Sequence, residues 1–251
     1  LMRIFFIFLT LIYSKSLFSK EINLQFEIDW KSVHLADIEW NIYMDKESYS
    51  IDFIIQSYGM TDKIFNYKSV TNIEGLIKNN QLHPLTYKSK TKSTKQDVYA
   101  NLNFSPEGKI LEFDISKEIN DEQSIMQNQF INQYQFFTDP ISQLVQYFLY
   151  QTDSDRMIID GLNIYSLKFE NLNDEIFENN NPTIHTGMSN TLNIFFPFFQ
   201  GLHKLNKKNN LQEIKMNYIE LDNITIPIQY DIKSKKFSAK LYLKSYEINN
   251  Q

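Results

Sequence analysis

The chain has no cysteine. That absence excludes disulfides, thiolate zinc sites, a cysteine nucleophile and a lipid-modified N-terminal cysteine. Histidine is almost as scarce. His34, His83, His185 and His203 are far apart, so no local ligand pair points to a metal. Six glycines and six prolines in 251 residues exclude collagen-like and proline-rich disordered architectures. The glycines (Gly59, Gly75, Gly108, Gly161, Gly187, Gly201) are isolated from one another, so no phosphate-cradling loop exists and no cofactor is expected. There is no concentrated basic block and the formal net charge is −5, which argues against nucleic acid as a partner.

What is present is apolar and aromatic. Hydrophobic residues make up 42% of the chain, with 20 Phe and 15 Tyr. Flat and β-branched side chains pack well on a pleated surface, so this composition favours strands and a sizeable core.

Residues 1–19 read as a secretory signal peptide. Arg3 precedes an apolar run from Ile4 to Tyr13, and small residues follow at Ser14, Ser16 and Ser19. A membrane span needs about 20 apolar residues, and Lys15 interrupts this run first, so no stable transmembrane anchor is expected after cleavage. An uncleaved anchor or a buried strand is the alternative. Loss of Arg3 and Lys15 takes the charge from −5 to −7. Residues 20–251 then read as a single β-rich periplasmic domain.

The clearest pattern runs from Phe26 to Tyr58. Ile22, Leu24, Phe26, Ile28 and Trp30 alternate with polar residues, as do Ile38, Trp40, Ile42 and Met44, and then Tyr49, Ile51, Phe53 and Ile55. This period of two predicts strands over 22–31, 35–44 and 48–58, and their short connections make an antiparallel meander. A helical link is expected at 60–67, with strands at 68–77, 84–92, 96–104 and 109–116. The last two flank the turn Ser105-Pro106-Glu107-Gly108-Lys109. Residues 117–138 read as a loop or irregular helix.

One helix is clear, over 140–151. Asp139 is a good N-cap, Pro140 suits the first helical position, and Ile141, Leu144, Val145, Phe148 and Leu149 recur at helical spacing. Strands at 155–160 and 162–170 bracket Asp160-Gly161, and 171–190 reads as a polar loop around Asn179-Asn180-Asn181-Pro182. After the apolar group Leu192 to Phe199 and a charged turn at 204–210, strands are expected at 211–221, 224–233 and 236–248. The fold class is therefore mainly β: roughly eleven to thirteen strands in a single, strongly curved antiparallel sheet or open β-barrel that wraps one helix.

These landmarks resemble the exported bacterial family labelled domain of unknown function 3108, over about residues 24–247. The family's first strands usually carry Trp-x-Gly and a second Gly four residues on. Here the positions are Trp30, Ser32 and Ala36. Asp139-Pro140-Ile141-Ser142 is similar to the family's Asp-Pro-Leu-Ser helix start. Asp160-Gly161 with Tyr165 matches its Asp-Gly hairpin, and Ile226-Pro227-Ile228 with Ala239 and Leu241 resembles its closing hairpin. A cysteine common in the family, nine residues before Gly201, is Leu192 here, so any thiol role is absent. The family has no established activity. Its architecture is similar to the LolA-like lipoprotein carriers, which implies an unclosed barrel around helices with an apolar cavity.

No catalytic residue stands out. His185 with Thr183, Thr186 and Ser189 lacks a nucleophile elbow and reads more plainly as a surface loop. Asp139, Asp153, Asp155 and Asp160 form the densest carboxylate group. Such pairs can hydrolyse glycosides across a cleft, but Asp139 and Asp160 already have capping and turn roles. Phe195, Phe196, Phe198 and Phe199 around Pro197, together with Trp30 and Trp40, are the candidate ligand-contacting residues. A sheet core covered on both faces would explain the phenylalanines equally. Lys204, Lys207 and Lys208 could meet head groups or simply form a solvated turn.

The expectation is a non-enzymatic binding or assembly module of the envelope for a lipid, a lipoprotein or another amphiphile, its concave wall filled or gated by the helix after Pro140. A structural domain that pairs through an exposed strand edge and an envelope hydrolase are the alternatives. The sequence leaves oligomeric state open.

Overall fold

The computed structural model describes residues 19–95, 97–116, 128–129, 131–152, 156–178, 184–201, 211–234 and 238–250. The expected signal peptide falls almost wholly outside the described residues. So do most of 117–138, Asp153, Asp155, the Asn179–Pro182 stretch, and the 204–210 turn with its lysines and His203.

The alternating residues form β1 (Lys20–Trp30), β2 (Val33–Met44) and β3 (Ser48–Ser57). Ile22, Leu24, Phe26, Ile38, Trp40, Ile42, Tyr49 and Ile51 are buried on one face. Asp45 closes the second connection by accepting hydrogen bonds from the Glu47 and Ser48 backbone N–H groups. The chain continues through α1 (Gly59–Phe65), β4 (Lys68–Lys78), β5 (Gln81–Lys92), β6 (Asp97–Phe104) and β7 (Ile110–Ile115). Then come β8 (Phe137–Thr138), α2 (Pro140–Tyr150), β9 (Met157–Ile159), β10 (Asn163–Tyr165) and β11 (Lys168–Asn171). The remainder is β12 (Glu175–Phe177), β13 (Gly187–Phe195), β14 (Phe199–Gly201), β15 (Leu211–Leu221), β16 (Ile224–Ser234) and β17 (Ser238–Asn250).

Thirteen of these strands form one sheet in the order β11-β13-β15-β16-β17-β1-β2-β3-β4-β5-β6-β7, with β12 paired to β13 off that path. Every pairing in it is antiparallel. The first strand therefore lies beside the last, and β7 and β11 do not meet. A second sheet, β14-β10-β9-β8, includes a parallel pair, β8 with β9. It reaches both edges of the opening. Gly161 sits against Ala100 and Ile115 on one side, and the Ser166 N–H bonds the Phe198 carbonyl just past β13 on the other.

The mainly β, unclosed, curved sheet around one clear helix is as the sequence implied. The strands are more numerous than expected because several are only two to four residues long, too short for alternation to register. The polar stretch 171–190 contains β12 and the start of β13. The strand expected over 162–170 breaks at Ser166-Leu167 into β10 and β11. Pro227 sits in β16, opposite an irregularity in register at Asn217/Tyr218, where a missing N–H disturbs the ladder least.

Gly75 shows how tightly one end is packed. A Cβ there would collide with the Tyr49 ring and the His83 carbonyl, and backbone cannot step aside. Gly75→Ala is expected to destabilise the protein by roughly 1–3 kcal/mol, measured by urea unfolding. An unchanged midpoint would contradict this packing.

Candidate apolar cavity

The concave face of the large sheet is filled mostly by α2. The helix starts because Asp139 Oδ1 accepts hydrogen bonds from the Ile141 and Ser142 N–H groups at 2.9 and 2.8 Å, with Pro140 at the first helical position. Buried polar contacts then tie it to the wall. Ser142 Oγ meets the Tyr49 hydroxyl at 2.8 Å. Gln146 Oε1 accepts from the Leu82 N–H at 2.6 Å, and its Nε2 donates to the Asn80 carbonyl at 2.9 Å. Phe148 packs edge-on to Trp40 at 5.6 Å, and Trp40 to Phe53 at 5.3 Å.

Beside the first turn of α2 a cavity of about 230 Å³ remains. Phe26, Ile38, Trp40 and Phe53 form one wall, Ile214, Tyr230, Ile232 and Leu241 another. Pro140, Ile141 and Leu144 form the floor, and Tyr165, Leu167, Ile194 and Phe196 close the side. The lining is almost wholly apolar.

The cavity opens at one end of the barrel, as a burial gradient shows. β1, β3 and β16 run in the same direction. Along them Phe26 gives way to half-buried Ile28, Ile51 to Phe53 and Ile55, and Ile228 to Ile232. A hollow at the opposite end, about 560 Å³, is an open and more polar groove beside Ser19 and Lys20. Its lining is much more polar, so the smaller apolar cavity is the candidate site.

Of the residues singled out from sequence, Trp40 and Phe196 line the cavity. Phe199 stacks on Tyr165 at 5.7 Å, behind the lining, and Phe198 packs against Tyr134 at 5.9 Å. Phe195 is exposed on the outer side of β13. Trp30 does not reach the interior: it is 42% exposed at the end of β1. The following turn places Lys31 and Ser32 at φ 50° and 63°, and Lys31 Nζ sits 5.0 Å from the Trp30 ring centre. Ser32, where the resembled family has glycine, thus occupies a left-handed conformation that glycine adopts most readily.

Of the four carboxylates singled out from sequence, only Asp139 and Asp160 are among the described residues, and Asp160 closes its turn by accepting hydrogen bonds from the Leu162 and Asn163 N–H groups. Asp139 is fully buried against Tyr49 and Ser142, whereas His185 is half-buried just before β13 and bonded to the carbonyl of Met188 in that strand. One cluster was invisible in sequence. Glu27, His34 and Asp37 converge on the outer face with potential ligand atoms within 4.8 Å of one another. Register shifts on both sides of β1 cause this: Leu35 is extra in β2, and Lys244 is extra in β17. These bulges turn His34 and Lys244 toward the carboxylates. Lys244 Nζ lies 3.4 Å from Asp37 and 3.6 Å from Glu27, so an ammonium already bridges the two carboxylates.

This architecture defines a class of open, β-barrel-like proteins. A crystal structure of a β-barrel-like protein of domain of unknown function DUF1849 from Brucella abortus aligns at TM-score 0.50 and 8% identity, covering 94% of this chain and 99% of that one. Residues 25–140 match the family described as protein of unknown function (DUF3108), the family whose opening strands and Asp-Pro helix start this chain resembles. The landmarks from Asp160 onward lie beyond the matched stretch. A DUF1329 family protein from Desulfovibrio piger aligns at TM-score 0.28 and 8% identity, over 95% of this chain and 89% of that one. No curated protein matches the chain.

Burial pushes the Asp139 carboxyl up to about 6, against the pull of its Ser142 and backbone hydrogen bonds. Among the described residues its Oδ2 has no partner. A carboxyl raised in the folded state favours folding most below its unfolded value near 3.8, and that contribution is lost as pH rises through about 6. Asp139→Asn keeps an oxygen for the cap and removes the charge. The variant should therefore gain stability relative to the wild type between pH 4 and 6.5, on the order of 2–3 kcal/mol, by thermal unfolding across that range. Parallel pH profiles for the two proteins would contradict it.

Proposed function

We propose that this protein is an exported, non-enzymatic binding module of the bacterial envelope. It holds the apolar chain of a lipid, lipoprotein or other amphiphile in the cavity beside α2. The carrying observation is that cavity: almost wholly apolar in its lining and open at one end, with Ile22, Leu24, Ile42 and Ile51 buried toward the other. An apolar hollow of about 150 Å³ accepts benzene, so about 230 Å³ suits part of one hydrocarbon chain. The polar remainder of the ligand stays outside the mouth.

The buried bonds from Ser142 and Gln146 to Tyr49, Leu82 and Asn80 favour α2 as a fixed floor over α2 as a gate. Moving it would strand several buried polar groups, each costing about 1–3 kcal/mol. Exchange then proceeds through the mouth. Export through residues 1–19 puts the module in the periplasm. Edge pairing gains less support, because the second sheet reaches both edges of the opening.

Protein isolated from an exporting bacterial host should have lost residues 1–13 at least, by intact mass, and should fractionate with the periplasm. In native mass spectrometry it should carry, or take up from solution, one acyl-chain amphiphile. Leu241→Phe adds bulk at the half-buried mouth and should lower that uptake at least tenfold without lowering stability. If the wild type takes up no acyl chain, or Leu241→Phe binds as well, the carrier reading fails.

A further inference from the structure

The open end of the barrel carries an unusual set of exposed apolar residues. Trp30 and Val33 flank the β1–β2 turn at 42% and 57% exposure, and Tyr58 follows β3 at 54%. The short helix α1 buries none of its residues and presents Met60, Ile64 and Phe65 at 77%, 60% and 43%. A fixed framework holds them there. The Tyr58 N–H bonds the Leu35 carbonyl, and the Thr94 N–H of the β5–β6 connection bonds the Phe65 carbonyl, both at 2.8 Å. Soluble surfaces seldom gather large apolar groups this way without a partner.

Lysines are interleaved with them. Lys31 lies over the Trp30 ring, and Lys95 lies over the Phe65 ring at 5.9 Å. Lys63 is on α1, and Lys68 and Lys92 pair across β4 and β5 at the same end. None of the five is in an ion pair among the described residues. Acids at this end include Asp29, Asp62 and Asp97; Asp62 accepts a hydrogen bond from the Ser57 hydroxyl, and Glu27 and Asp37, in the same strand row as Lys68 and Lys92, are held by Lys244. Elsewhere the charge balance is acidic, so this mixture of rings and ammonium groups is local.

We propose that this end docks on an anionic lipid bilayer surface. The apolar side chains enter the boundary between head groups and acyl chains, and the lysines meet the phosphates. Aromatic rings beside lysine suit that boundary because each has an apolar body and a polar or charged tip. The arrangement also explains position. β1 and β3 end here, as does the burial gradient that marks the cavity mouth, so a chain leaving the bilayer reaches the cavity without crossing water. That last step rests on the carrier reading; the docking does not.

The chain has two tryptophans, Trp30 and Trp40, and Trp40 is buried. Tryptophan emission therefore reports the docking directly. Vesicles of phosphatidylcholine with 30% phosphatidylglycerol and brominated acyl chains should shift the emission to the blue and quench it. Trp30→Phe should abolish both effects. Lys31→Glu, Lys63→Glu and Lys95→Glu together should weaken vesicle binding about a hundredfold while leaving acyl-chain uptake from vesicle-free solution intact. Emission that vesicles leave unchanged would overturn docking, whatever the cavity binds. So would Trp30 becoming shielded from acrylamide as protein concentration rises, because the patch would then face a second copy of the chain.

Discussion

Everything in this molecule hangs on the antiparallel pairing of its first strand with its last. β1 is held by β17 on one side and β2 on the other, so two distant segments of the chain become the middle of one continuous wall. Without that ladder the meander β1–β7 and the hairpins β13–β17 would be two separate curved sheets, each with an apolar face in water. Both neighbours of β1 carry an extra residue, and bulges increase bending and twist. The curvature that makes the sheet a trough is thus written partly at Leu35 and Lys244.

A trough needs a filler, and α2 supplies it unevenly. Its C-terminal half packs Phe148 on Trp40 and Tyr147 on Phe169. Gln146 and Ser142 fasten it to strands on the Tyr49 side. Its N-terminal part, through Pro140, Ile141 and Leu144, faces the apolar cavity. The same polar anchors that fix the helix keep it from sliding toward the open end to close the hollow. Asp139 lies at the junction: it caps the helix that floors the cavity, and does so from a buried position that opposes its own ionisation.

Sequence made the long strands and the helix legible because both have enough residues for a period to show. Ile22 to Trp30 alternate over nine positions, and Asp139-Pro140 announces a helix without any tertiary information. Of the second sheet, the β9–β10 hairpin around Asp160-Gly161 was legible, whereas β8 and β14, of two and three residues, were hidden because they form by docking. Period alone also misplaced Trp30. It continues the alternation of Ile22 to Ile28, but the bulge at Leu35 and the left-handed turn at Lys31-Ser32 take it out of the wall. The cavity lining was half visible: Trp40 and Phe196 stood out as aromatics, whereas Ile214, Ile232 and Leu241 look like any inward strand residue. The Glu27–His34–Asp37 cluster depends on register shifts that no local pattern reveals.

The persistence of the cavity is itself informative. Leaving a hollow of about 230 Å³ against apolar walls costs on the order of 5 kcal/mol when it is closed and empty, at about 24 cal/mol per Å³. Whole domains are stable by only about 5–15 kcal/mol. Water at an open mouth lessens that cost, but wetting Ile28, Ile55, Ile232 and Leu241 forgoes their burial instead. This chain is rich in phenylalanine, and exchanging rim isoleucines and leucines for it would shrink the space. The core shows that the fold can pack tightly: Ile51, Val145, Ile158, Ile164, Leu192 and Met216 are completely buried. Loose packing confined to one end, with an apolar and lysine-studded rim beside it, is the arrangement that the proposed acyl-chain site requires.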